Sequence, residues 1–123
     1  MKHILIIDDS PTIRISVEHA LKSLGHAMVC AENGRDALGK IDALIAQGHD
    51  IALCVLDVNM PEMDGISFLK EFRSRDKFTP VLILTTESED DKIKEGRSHG
   101  ASGWIIKPFK PDELLSVAKR FLK

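Results

Sequence analysis

The chain has 123 residues, 43% of them hydrophobic, which is enough for one domain with a packed core. Its 17 Lys and Arg against 19 Asp and Glu leave a formal net charge of −2, so no general basic field draws nucleic acid or an acidic membrane. No stretch approaches the roughly 20 apolar residues that span a bilayer, and Met1-Lys2-His3 leads into a strand rather than the apolar segment of a signal peptide; a cytoplasmic protein is the expectation.

Ile4 to Ile7 reads as a first strand that runs into Asp8 and Asp9. Ser10-Pro11 then starts a helix, with a capping hydroxyl followed by proline at the first helical position. Ile13, Val17, Ala20, Leu21 and Leu24 repeat at helical spacing up to a stop at Gly25. Ala27 to Ala31 is a second strand. Asn33-Gly34 turns the chain into a second helix that buries Ala37, Leu38, Ile41, Leu44 and Ile45 and ends at Gly48. A third strand covers about Ile51 to Leu56 and stops on Asp57.

A loop from Asn59 to Asp64 leads to a third helix, Gly65 to about Arg73, burying Phe68, Leu69 and Phe72. The fourth strand, Val81 to Leu84, follows Pro80 and stops on Thr85. Ser88 with Asp91 makes a capping box for a fourth helix ending near His99-Gly100. The fifth strand, Gly103 to Ile106, stops on Lys107, and Pro111-Asp112-Glu113 opens a last helix whose Lys119 and Arg120 suit its dipole. Cys30 and Cys54 fall in strands two and three without metal-ligand spacing, so both are expected to be buried, reduced thiols.

Strand and helix alternate five times, which argues for an α/β domain with a doubly wound parallel sheet. The five-strand flavodoxin-like order 2-1-3-4-5 sets strands one and three side by side at the switch point, and with them Asp8, Asp9 and Asp57. The whole chain, 1–123, is expected to be a single domain with no second one to carry an output.

Three carboxylates at one sheet edge repel one another and call for a counter-charge. Mg²⁺, which takes few protein carboxylates and keeps several waters, fits a site that must also admit a phosphoryl group. Asp9 and Asp57 are its expected direct ligands. Asp57 is the candidate nucleophile for an acyl phosphate, Lys107 supplies a second positive charge, and Thr85 donates a hydrogen bond to the phosphoryl oxygen.

The pair Asp8-Asp9, the segment Leu56 to Gly65 (LDVNMPEMDG), Leu84-Thr85-Thr86-Glu87 and Gly100 to Phe109 (GASGWIIKPF) together carry a resemblance. The chain resembles the receiver domain of bacterial two-component response regulators over essentially its whole length, most nearly the single-domain, CheY-like chemotaxis members. The resemblance implies that Asp57 takes a phosphoryl group from a phosphohistidine of a sensor histidine kinase, CheA-like in chemotaxis. It implies Mg²⁺ on Asp9, Asp57 and the main-chain carbonyl of Asn59, with Asp8 holding a metal water, and a cis bond between Lys107 and Pro108. It also implies that Thr85 and the aromatic at 104 move on phosphorylation and alter the surface of helix 4, strand 5 and helix 5. Trp104 departs from the more usual Tyr or Phe, and Thr86 from a smaller residue. Asn59, Thr86 and Glu87 are the expected tuners of acyl-phosphate lifetime.

The implied protein is a monomeric signalling receiver rather than an enzyme, promoting only its own phosphotransfer and dephosphorylation. Its partners would be a flagellar switch protein or another effector protein, and a phosphatase. Two further roles stand beside a chemotaxis signal: a phosphate sink or phosphorelay intermediate, and a regulatory subunit of another enzyme. A flavodoxin-like redox protein needs a Ser/Thr/Gly-rich loop after strand one, where Asp8-Asp9 would repel the flavin phosphate. A haloacid-dehalogenase type phosphatase has its nucleophile after the first strand and a longer chain, whereas here Asp57 follows the third.

Overall fold

Runs that are apolar at consecutive positions suit strands covered on both faces, and that is how these runs are used. A computed structural model describes residues 2–58, 65–85 and 90–122, and in it five parallel strands form one sheet in the order β2-β1-β3-β4-β5. The strands are β1 (Lys2–Ile7), β2 (Ala27–Ala31), β3 (Asp50–Asp57), β4 (Val81–Thr85) and β5 (Gly103–Ile106). They alternate with α1 (Pro11–Leu21), α2 (Gly34–Ala46), α3 (Gly65–Arg75), α4 (Asp90–Ser98) and α5 (Pro111–Phe121), and a short 3-10 turn, Lys22–Leu24, extends α1. The doubly wound α/β order expected from the sequence is the one observed.

Side-chain alternation sorts the strand residues between two cores. Ile4 and Ile6 of β1 join Leu53 and Val55 of β3 under α1 and α5, while Leu5 and Ile7 join Cys54 and Leu56 under α2 and α3. Local signals set the helix ends. The Ser10 hydroxyl accepts the amide of Ile13 at 3.3 Å, with Pro11 opening α1, and Gly25 stops the extension at φ 76°. Asn33 caps α2 by accepting the amide of Asp36 at 2.8 Å.

Ile45 is a correction. Expected on the buried face of α2, it is 59% exposed. At about 100° per residue, Ala37, Ile41 and Leu44 form a narrow stripe, and Ile45 lies on its flank in the last turn. Cys30 is half-buried rather than buried; its thiol donates to Glu18 Oε1 at 3.1 Å, and burial, then Glu18, push its pKa up to about 11. Cys54 is fully buried, and both thiols are free, two strands apart across β1.

The loop of Asn59 to Asp64, the capping Ser88, and Thr86 and Glu87 lie outside the described residues. Among the described residues no helix is long and apolar enough to cross a membrane.

Candidate functional site

Strand register alone brings the acidic residues together. Ile7 of β1 pairs with Leu56 of β3, so the residues that follow, Asp8 and Asp57, stand side by side at the carboxyl edge. Oxygens of Asp8, Asp9 and Asp57 all lie within 4.8 Å of one another, with Asp8 and Asp57 buried and Asp9 exposed. Thr85, the last residue of β4, is fully buried, and its carbonyl accepts the Lys107 amide at 2.6 Å. From the end of β5 the Lys107 side chain crosses the end of β4 to donate to Asp57 Oδ1 at 3.2 Å and Asp8 Oδ2 at 3.3 Å.

The electrostatics follow from this arrangement. Burial pulls the Lys107 pKa down, but attraction by Asp57 and then Asp8 outweighs it, and the ammonium titrates above its ordinary 10.5. Three carboxylates, two of them buried, outnumber the Lys107 ammonium and the Arg14 guanidinium beside Asp8, so the cluster keeps residual negative charge. A cluster of hard oxygen donors with that residual charge fits a divalent cation of the Mg²⁺ type. Asp9 and Asp57 would hold it and Asp8 would orient a bound water; Asn59, the fourth expected contributor, is outside the described residues.

Asp8 is anchored on every side. Its amide donates to Ala31 O at 3.1 Å, its Oδ1 accepts the Ser10 amide at 2.9 Å, its Oδ2 faces Lys107, and its carbonyl accepts Arg14 Nη1 at 2.5 Å. Arg14 is not singled out by the sequence pattern and reads as an ordinary helix residue, whereas Gly65 closes the Leu56 to Gly65 segment without a role assigned to it.

Gly65 starts α3 directly against the acceptor strand. Its amide donates to Val58 O at 3.1 Å, and a Cβ at this position would run into the carbonyl oxygen of Asp57 and the Cα of Val58. The only signal for this in the sequence is a glycine at the first residue of a helix. Gly65→Ala is expected to lower stability by about 2–3 kcal/mol, because either α3 or the backbone of Asp57 must shift. Urea unfolding of the two proteins, with metal binding measured alongside, checks both consequences.

At the far end of the sheet edge, Trp104 is 37% exposed, and the Arg97 guanidinium of α4 sits 4.2 Å from its ring centroid. Gly96, which in a helix weakens α4, is also where α4 lies closest to the sheet; a Cβ there would meet Ile83 Cδ1. The far end of α4 is tied down, since Arg73 donates from Nε and Nη2 to Gly100 O at 3.0 and 2.9 Å. The Lys107-Pro108 peptide is cis, as the resemblance implies.

Comparison with known proteins bears on this geometry. Residues 4–119 match the family model described as the response regulator receiver domain. The chain is 35% identical over 114 residues to the chemotaxis protein CheY1 of Helicobacter pylori, covering 90% of this chain and 89% of that protein. It is 40% identical over 124 residues to the regulatory protein AtoC of Escherichia coli, covering all of this chain but only 26% of AtoC. In structure it resembles the chemotaxis protein CheY4 of Vibrio cholerae, with a TM-score of 0.85, 43% identity and 99% of each chain covered.

Proposed function

The chain belongs to the response regulator receiver domain family, and from that premise we propose that it accepts a phosphoryl group on Asp57 from a histidine kinase and thereby switches a protein-binding surface. The observation that carries this is Lys107 reaching from β5 to both Asp57 and Asp8, which puts a cation on a carboxylate that lies beside two others. Asp57 Oδ would attack the phosphorus of a phosphohistidine. The P–N bond breaks, its electron pair and a proton go to the departing imidazole, and the new O–P bond makes an acyl phosphate. Lys107 passes from the bare carboxylate to an oxygen of the transferred group, and the Thr85 hydroxyl donates to another. Mg²⁺, when bound by Asp9 and Asp57, supplies the remaining positive charge for the phosphoryl oxygens.

The surface that answers is that of α4, β5 and α5. Drawing Thr85 toward the phosphoryl group opens space for the Trp104 ring, which in this structure is held outward under Arg97. Acrylamide quenching of Trp104, the only tryptophan, is expected to fall when Mg²⁺ and beryllofluoride are added, and the change to be lost in Thr85→Ala. A cation over an exposed ring contributes about 0.5–1 kcal/mol, so Arg97→Ala should move the outward-inward balance about two- to fivefold inward before any activation. Unchanged quenching in the wild type would remove the aromatic from the switch.

The protein would serve chemotaxis in the cytoplasm by carrying this surface to a flagellar switch protein, a role supported by its likeness to CheY1 over 89% of that protein. Phosphotransfer from a phosphorylated chemotaxis kinase, followed by binding to a flagellar switch segment, tests it. Tighter binding of the phosphorylated form supports a motor signal. Return of the phosphoryl group to a kinase or histidine phosphotransfer protein without such binding supports a sink or relay.

A further inference from the structure

The geometry points to Arg14 as a positioning residue of the acceptor site, setting its affinity for Mg²⁺ by locking the peptide unit that joins Asp8 to Asp9. This rests on the reading of the site as a Mg²⁺-dependent phosphoryl acceptor. The Asp8 carbonyl belongs to the planar peptide group whose other end is the Asp9 amide, so whatever fixes that carbonyl fixes the plane from which Asp9 projects. Asp8 lies just beyond the end of β1, where the strand ladder supplies no partner for this oxygen. Arg14, one turn into α1, supplies it at 2.5 Å with a charged donor.

The two acidic neighbours differ in what holds them. Asp8 is buried and tied through its amide and both carboxylate oxygens. Asp9 is exposed, and its place beside Asp57 depends on the turn between β1 and α1. That turn is closed at two points: Ser10 to the Asp8 side chain, and Arg14 to the Asp8 main chain. Releasing the second lets the Asp8–Asp9 peptide rotate and moves a direct ligand, while the carboxylates, their charges and Lys107 all remain.

Mg²⁺ needs nearly ideal octahedral geometry at about 2.0–2.1 Å, whereas Ca²⁺ tolerates irregular coordination at about 2.3–2.6 Å. A loosened turn should therefore cost Mg²⁺ more than Ca²⁺, a distinction that a general loss of stability would not produce. Groups that orient metal ligands are worth about 10–100-fold in metal affinity. The test is calorimetric titration of the full chain with Mg²⁺ alone and with Ca²⁺ alone, for wild type, Arg14→Ala and Arg14→Lys, with thermal melts in chelator as the control on folding.

Arg14→Ala is expected to lose about tenfold in Mg²⁺ affinity and markedly less in Ca²⁺ affinity. Arg14→Lys, which keeps the charge but not the planar fork, should fall between it and wild type, and it carries the test if the alanine variant does not fold. Equal losses for the two ions, or unchanged Mg²⁺ affinity in a folded variant, would overturn the role of Arg14 and leave the acceptor site standing. Failure of the wild type itself to bind Mg²⁺ would overturn the acceptor reading, and the Arg14 role with it.

Discussion

Asp57→Asn is expected to abolish phosphoryl uptake and, in the absence of metal, to make the protein more stable by about 1–2 kcal/mol. The carboxylate of Asp57 has an oxygen within 4.8 Å of oxygens of Asp8 and Asp9, and the Lys107 ammonium lies 3.2 Å from it. Two unit charges about 4 Å apart interact by about 4 kcal/mol at an effective dielectric of 20. Neutralising Asp57 thus removes its repulsion by two neighbouring carboxylates and forfeits its attraction to Lys107, in a side chain of nearly unchanged shape. Added Mg²⁺ should reverse the order, because a ligand at about 100 times its Kd stabilises the protein that binds it by about 2.7 kcal/mol. Urea midpoints for both proteins, in chelator and in saturating Mg²⁺, test the crossover. A variant less stable than wild type in chelator would mean that the carboxylate is held for structure rather than for chemistry.

Lys107→Ala is expected to act in the opposite direction, costing about 2–3 kcal/mol without metal, because it strands the buried Asp8 and Asp57 without their cation. The sign of the pH dependence follows from the raised Lys107 pKa. A cation whose folded pKa is raised contributes in full below its ordinary 10.5, and the contribution fades as pH climbs through the higher folded value. Wild type and variant should therefore differ by a constant amount around neutrality and converge only in strongly alkaline solution. Phosphoryl uptake should survive in part, since the Asp8, Asp9 and Asp57 carboxylates remain, while partner binding falls further because strand β5 loses its tie to the modified residue. Measuring labelling and partner binding in one preparation separates the two effects. Equal loss of both would confine Lys107 to the chemistry.

Most of this fold was legible because its strands are covered on both faces. Such strands read as unbroken apolar runs, and each of the four functional strands ends where its run meets a polar residue: Asp8, Asp57, Thr85 and Lys107. The Ser10 cap was equally direct, since its hydroxyl accepts the Ile13 amide ahead of α1, and the turn expected at Asn33-Gly34 proves to hold the cap of α2. Ile45 was misread because helical periodicity gives a direction but not the width of the surface that covers a helix, and Ile45 falls just outside the buried stripe of Ala37, Ile41 and Leu44. The site's carboxylates and lysine could be found from strand ends alone. Its supporting residues could not, because Arg14 and Gly65 matter through main-chain oxygens of Asp8 and Asp57, and a backbone contact leaves no pattern in side-chain chemistry. The Arg97 cover on Trp104 was hidden for a related reason: it joins a helix and a strand through the packing of α4 on the sheet rather than through sequence spacing.

The account stands most directly on where a phosphoryl group goes. Incubate the wild-type protein with acetyl phosphate and Mg²⁺, reduce the acyl phosphate with borohydride, and map the product by peptide mass spectrometry, with a parallel sample in excess chelator. The geometry of Lys107, Asp8 and Asp9 around one carboxylate predicts a single reduced residue, position 57, in the Mg²⁺ sample and none in chelator. Modification at Asp8 or Asp9, or equal modification of Asp57 without metal, would contradict it.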